Sequence, residues 1–164
     1  MVDAPTTMSR KTRQYQTSLD GIDNLRLETA VVEPPQGKQI LVKIKAVSLN
    51  YKDAETIEGL FKHHKSSVAP ENLVPCADAN GEVVALGPDV SKWSEGDRVL
   101  STSYPDYLTG QVKPEYLSKG VGSAVNGCLT EYRLFEETAV VRAPDYLTDV
   151  EACNMQIAGT TAWM

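Results

Sequence analysis

Ile40-Leu41-Val42-Lys43-Ile44-Lys45-Ala46-Val47 is the stretch that most limits what this chain can fold into. Ile40, Val42, Ile44 and Ala46 fall on one face and Lys43 and Lys45 on the other, with Leu41 and Val47 as exceptions. Period two with charges outward predicts a half-buried strand. Pro34-Pro35-Gln36-Gly37 is the turn that feeds it. Further short runs follow: Gly81 to Leu86, stopped by Gly87-Pro88-Asp89; Arg98 to Ser101, entered through Glu95-Gly96-Asp97; Leu129 to Phe135; and Ala139 to Ala143. Strands this short and this closely punctuated predict a barrel or a sandwich. The strand–helix alternation of a parallel sheet is missing. With 164 residues the chain suits one domain that buries its own core.

Helices are expected to be few. Tyr51 to Glu58 reads as a short one before Gly59. Thr148-Asp149-Val150-Glu151 is a capping box, with helix propensity continuing through Ala152 to Ile157. Gly159 to Met164 opens another helix. The apolar end is expected to be mobile or self-associating after Ala152, because an isolated short helix is marginal in water. Residues 1–13 lack any period and read as a flexible polar tail.

Charge and cysteine usage exclude several classes. Sixteen Lys and Arg against 22 Asp and Glu give a net charge of -6, which argues against a nucleic-acid binder. No apolar run approaches the roughly 20 residues of a membrane span, so no membrane partner is expected. The first residues lack a secretory apolar core, and the expected compartment is the cytoplasm. Cys76, Cys128 and Cys153 form no C-x-x-C pair, and reduced thiols in or near a core are expected.

Other candidate motifs are weak. Gly120-Val121-Gly122 begins like a dinucleotide fingerprint, but Val125 stands where the third glycine belongs, so a surface loop is expected. His63 and His64 lie between Lys62 and Lys65, and adjacent side chains point apart, so an exposed loop is expected rather than a metal site. G-x-S-x-G is absent.

Five segments in register carry a family resemblance. The run from Ile40 through Ser48-Leu49-Asn50-Tyr51-Lys52-Asp53 resembles the first catalytic-domain signature of the medium-chain dehydrogenase/reductase superfamily, in its quinone oxidoreductase-like and zinc-lacking alcohol dehydrogenase-like branch. Gly81 to Gly87, Trp93 to Val99 with its Gly-Asp-Arg-Val turn, Gly127-Cys128-Leu129-Thr130-Glu131-Tyr132, and Ala158-Gly159-Thr160-Thr161-Ala162-Trp163 resemble its later motifs. The resemblance runs from about Gln14 to the end, residues 14–164. It implies a mainly β, GroES-like, partly open barrel with a few short helices. It also implies NAD(P)(H) as cofactor and a carbonyl, alcohol, quinone or enone as substrate. The Rossmann cofactor domain that the family places next is not in this chain, so tight cofactor binding and turnover by the chain alone are not expected. A non-catalytic GroES-like binding or structural module is the alternative. Dimerisation is not implied, since the family pairs through its cofactor domain.

The same resemblance implies a zinc-free member. Asn50 stands where zinc-dependent relatives place Cys, and Ala77-Asp78 stands where they place His-Glu. It assigns catalysis to Asn50 and Tyr51, and cofactor binding to Asn50, Lys52 and Thr161. Asn50 can orient a hydroxyl or a carbonyl without metal. Tyr51 can supply a proton or pack under the cofactor. Lys52 can neutralise a phosphate, and Thr161 matches a threonine that contacts the nicotinamide carboxamide. Asp53 is expected to cap the short helix.

Overall fold

The computed structural model describes residues 8–61 and 69–164. Its strands are β1 (Arg10–Gln16), β2 (Arg26–Val32), β3 (Gln39–Ser48), β4 (Asp78–Leu86), β5 (Arg98–Ser101), β6 (Tyr132–Glu136) and β7 (Val140–Arg142). Five of them form an antiparallel sheet in the order β6-β3-β4-β5-β7. β1 and β2 pair as a separate antiparallel ribbon. The five-stranded sheet ends at β6 and β7 without closing, and the result is the mainly β, partly open barrel that the family resemblance implies, one of the two architectures that the strand spacing allows.

The predicted strands appear with shifted ends. β4 starts three residues earlier, at Asp78, and β6 starts three residues later, at Tyr132. β3 lies between two neighbours, which explains Leu41. It is buried with Ile40 and Val42, although the alternation alone turns it outward. The ladder between β3 and β4 slips between Ile44 and Ala46, so Ile44 faces Gly81, Ala46 faces Asn80, and Lys45 is the extra residue of a bulge. Gly81 is required there: a Cβ would lie 2.5 Å from Val42 Cγ1 and 2.6 Å from the Lys43 carbonyl. Ile40, Val42, Ala79, Val83, Val99, Phe135 and Val140 form the main core.

Strand β1 begins inside the stretch that the sequence suggests is a polar tail. Residues 10–13 belong to β1, and Thr12 is buried. Its hydroxyl meets Thr130 Oγ1 at 3.0 Å and accepts from the Tyr132 amide at 3.1 Å. Arg13 holds Glu131 through both its guanidinium and its amide, at 2.6 and 2.9 Å. This strand is fixed by polar partners more than a hundred residues away, so it carries no local apolar period.

Helices are short: α1 (Tyr51–Ile57), α2 (Pro114–Leu117), α3 (Asp149–Ala152) and α4 (Thr160–Trp163), with a 3-10 turn at Ile22–Asn24 and a π turn at Met155–Gly159. The Thr148 capping box forms, Oγ1 accepting from the Glu151 amide and Glu151 Oε2 from the Thr148 amide. The helix does not run on to Ile157. Three polar contacts draw the chain onto the sheet instead: Ser48 Oγ donates to Asn154 Oδ1 (2.7 Å), Gln156 Nε2 to the Ala79 carbonyl (3.3 Å), and the Ile157 amide to Asp78 Oδ2 (3.1 Å). Residues 154–157 are therefore docked, within the stretch that the sequence reading leaves free. Trp163 and Met164 beyond them are almost fully exposed. No helix of the described residues is long and apolar enough to cross a membrane.

Candidate functional site

The site is built where β3 hands over to α1. Ser48 ends the strand in a buried position, Leu49 is exposed, and Asn50 keeps an extended backbone as the residue before the helix. Asp53, one turn on, accepts from the Asn50 amide through Oδ2 at 2.8 Å, the capping role expected of it. Tyr51 opens α1 and is 81% exposed. Lys52 turns inward: Nζ donates to the Val121 carbonyl at 3.3 Å and stands 5.9 Å from the Phe61 ring.

The floor of the site comes from β4 and the segment before it. Asp78 is fully buried, and its Oδ2 accepts from Asn50 Nδ2 at 3.1 Å. Cys76 is also buried, and its thiol faces Asp53. Its backbone has φ 69°, the left-handed region that a side chain disfavours. Gly122 and Gly127 make that approach possible, since a Cβ on either would lie within 2.6 Å of Cys76 backbone atoms. Gly120-Val121-Gly122 is thus a buried turn against Cys76 and not the surface loop expected from sequence; Val121 itself is fully buried.

Burial governs the electrostatics. It raises the pKa of Asp53 and of Asp78 above the usual carboxylate range, against the hydrogen bonds that each accepts. It pushes the Cys76 thiol up as well. It lowers Lys52, against the attraction of Asp53 and Asp78. Oδ1 of each aspartate is buried with no hydrogen-bond partner among the described residues.

The five sequence-predicted residues are therefore not all together. Asn50, Lys52 and Asp53 share one cluster. Tyr51 and Thr161 stand exposed outside its hydrogen-bond network, Thr161 on α4. Asp78 is the residue that sequence reasoning underused. It entered only as a departure from His-Glu, yet a lone carboxylate in the apolar run from Leu73 to Ala79 is a signal for a buried polar partner.

Zinc does not fit these residues. Asn50 turns its amide nitrogen onto Asp78, Ala77 offers no side-chain donor atom, and Cys76 alone supplies a single sulfur. Among the described residues no group of three or more His, Cys, Asp or Glu is placed to hold a metal ion. His63 and His64 lie outside the described residues. Chelator-stripped protein, reloaded with zinc and desalted, is expected to retain far less than one zinc per chain by elemental analysis. One tightly held zinc per chain would sink this reading.

Residues 36–145 match the model of the alcohol dehydrogenase GroES-like domain. A zinc-type alcohol dehydrogenase-like protein of Schizosaccharomyces pombe is 32% identical over 88% of this chain and 41% of its own length. An NADPH-dependent alkenal/one oxidoreductase of Arabidopsis thaliana, a chloroplastic protein, is 32% identical over 87% of this chain and 33% of its own. The chain thus spans about a third to two fifths of the length of these relatives. In structure, a candidate alcohol dehydrogenase from Sinorhizobium meliloti superposes with a TM-score of 0.78 at 32% identity, over 95% of this chain and 46% of that one. The quinone oxidoreductase from Coxiella burnetii shares the fold with a TM-score of 0.71 at 24% identity, over 94% and 44%. Strand order, the Asn50 turn and these likenesses meet in one conclusion: the chain belongs to the GroES-like domain family of the medium-chain dehydrogenases/reductases.

Proposed function

We propose that this chain is the catalytic-domain portion of a zinc-independent, NAD(P)-dependent oxidoreductase acting on a carbonyl or an activated alkene. The observation that carries the reading is Asn50. Its side chain is anchored on a buried carboxylate at the end of β3, where a zinc ligand would otherwise stand. A bound nicotinamide supplies or takes the hydride. Asn50 orients a polar group of cofactor or substrate. The exposed Tyr51 phenol closes over the bound ligand and is the proton donor within reach of solvent. Lys52 rests on the Val121 carbonyl, and a cofactor phosphate competes with that contact for its ammonium. Thr161, on the helix that leaves the sheet, contacts the carboxamide.

Titration of the nitrogen-15-labelled chain with NADPH tests this. Saturating shifts are expected at Asn50, Tyr51, Lys52 and Thr161, with affinity in the millimolar range. Shifts elsewhere, or none at millimolar NADPH, would favour a non-catalytic GroES-like module.

A further inference from the structure

The geometry points to Asp78 as the positioning residue of the site, the group that decides which face of the Asn50 amide is offered to a ligand. The inference deepens the reading of Asn50 given above, and rests on it for its functional meaning.

One oxygen does two things. Asp78 Oδ2 accepts from Asn50 Nδ2 and from the Ile157 backbone amide, each at 3.1 Å. The first donor sits at the entry of α1. The second sits in the π turn that leads to α4. A single buried acceptor therefore joins the two segments that carry the proposed ligand-binding residues, Asn50 to Lys52 on one side and Thr161 on the other. This holds whether the carboxyl is ionised or carries its proton on Oδ1, because Oδ2 accepts in both forms.

The acceptor also breaks the symmetry of the amide. An asparagine can turn either its oxygen or its nitrogen toward a neighbour, and the partner decides which. Against a carboxyl oxygen only Nδ2 can bond, so Oδ1 lies across the amide from Asp78. On that side the capping box of α1 brings the Asp53 backbone amide toward the Asn50 side chain. A ligand group that meets Asn50 Oδ1 is consequently a hydrogen-bond donor, a hydroxyl or an amide N–H, whereas a carbonyl oxygen can be met only by the second Nδ2 hydrogen.

Two neighbouring contacts keep Asp78 in place. Gln156 binds the Ala79 carbonyl and Ser101 Oγ, and Ser101 Oγ donates to the Ala77 carbonyl at 2.6 Å. Both backbone neighbours of Asp78 are thus pinned, which limits how far its carboxyl can turn.

The test reads the hydrogen bonds directly in the full chain labelled with carbon-13 and nitrogen-15, without need of activity. A long-range HNCO spectrum at neutral pH is expected to correlate both the Ile157 amide and the Asn50 side-chain amide with the Asp78 carboxyl carbon. If either correlation is missing while neighbouring β4 backbone couplings are seen, the assignment is overturned. In Asp78→Ala the Ile157 amide is expected to exchange roughly tenfold faster or more. The two Asn50 side-chain protons should move to solvent-like positions. Asp78→Asn keeps an acceptor oxygen and is expected to restore both signals. Asp78→Ala with both signals unchanged would refute the role, as would Asp78→Asn failing to restore them. Failure of NADPH to bind would overturn the cofactor reading and leave these couplings in place, so the two outcomes are separable.

Discussion

Gly127→Ala is expected to destabilise the fold by about 3 kcal/mol, the upper end for overpacking a core site. A Cβ there would stand 2.1 Å from the Cys76 carbonyl oxygen and 2.4 Å from the Pro75 carbonyl oxygen. Both are backbone atoms, so no side chain can swing away to make room. Those carbonyls are also engaged: the Cys128 amide donates to Cys76 at 2.7 Å and the Leu129 amide to Pro75 at 3.1 Å. Displacing them breaks the pairing that carries the chain toward β6. Gly96→Ala is the control. Its Cβ meets nothing within 4 Å, and its cost is only that of φ 89°, about 1–2 kcal/mol. Urea unfolding checks both. At a slope of about 2 kcal/mol per molar, Gly127→Ala should lower the midpoint by about 1.5 M and Gly96→Ala by less than 1 M. A Gly127→Ala midpoint equal to that of the parent chain would mean that the close approach to Cys76 is not held in solution.

Asp78→Asn is expected to act in the opposite direction, and more so as pH rises. Burial holds Asp78 above its ordinary value of 3.8, so the folded chain keeps this proton after the unfolded chain has released it. Between the two values the unfolded state binds fewer protons, and stability falls with increasing pH. Asp53, raised for the same reason, adds a loss of the same sign. Lys52 works the other way at higher pH, because its folded pKa is lowered and stability recovers as it deprotonates. An asparagine at 78 removes one of the two carboxylates and keeps an oxygen for Asn50 and Ile157. A gain of about 1 kcal/mol is expected at pH 7, shrinking toward zero below about pH 3, where the parent Asp78 is protonated in both states. Thermal melts of both chains across that range decide it. A gain that is the same at every pH would rule out ionisation as its cause.

How much was legible in the sequence differs by kind of residue. β3 announces itself because its apolar partners are its own neighbours at spacing two. The Thr148–Glu151 box does so because both halves lie within four residues. β1 was unreadable for the opposite reason. Thr12 and Arg13 are ordered by Thr130, Glu131 and Tyr132, and nothing near them in sequence hints at that. In the candidate site, the Asp53 cap was legible from helix-start chemistry. Asp78 was not, because its partners come from two distant segments, one of them a backbone amide that has no sequence signature. The docking of residues 154–157 was missed in the same way, being carried by Asn154 and Gln156 rather than by the apolar residues that drew attention to the chain end.

The strand order also sets a timetable for synthesis. β3 pairs with β6 through Leu41 and Leu134, which are about 90 residues apart in the chain. On a ribosome adding about 5–20 residues per second, β3 waits about 5–20 s for that neighbour. β1 waits longer still for Glu131. Until then one edge of Ile40–Val47, the most apolar strand of the fold, has no partner and is open to pairing with another nascent chain. Lys43, the last β3 residue in the β6 ladder, and Lys45 beyond it project from this strand. The same alternation that makes the strand readable therefore also places like charges where two unfinished copies would meet.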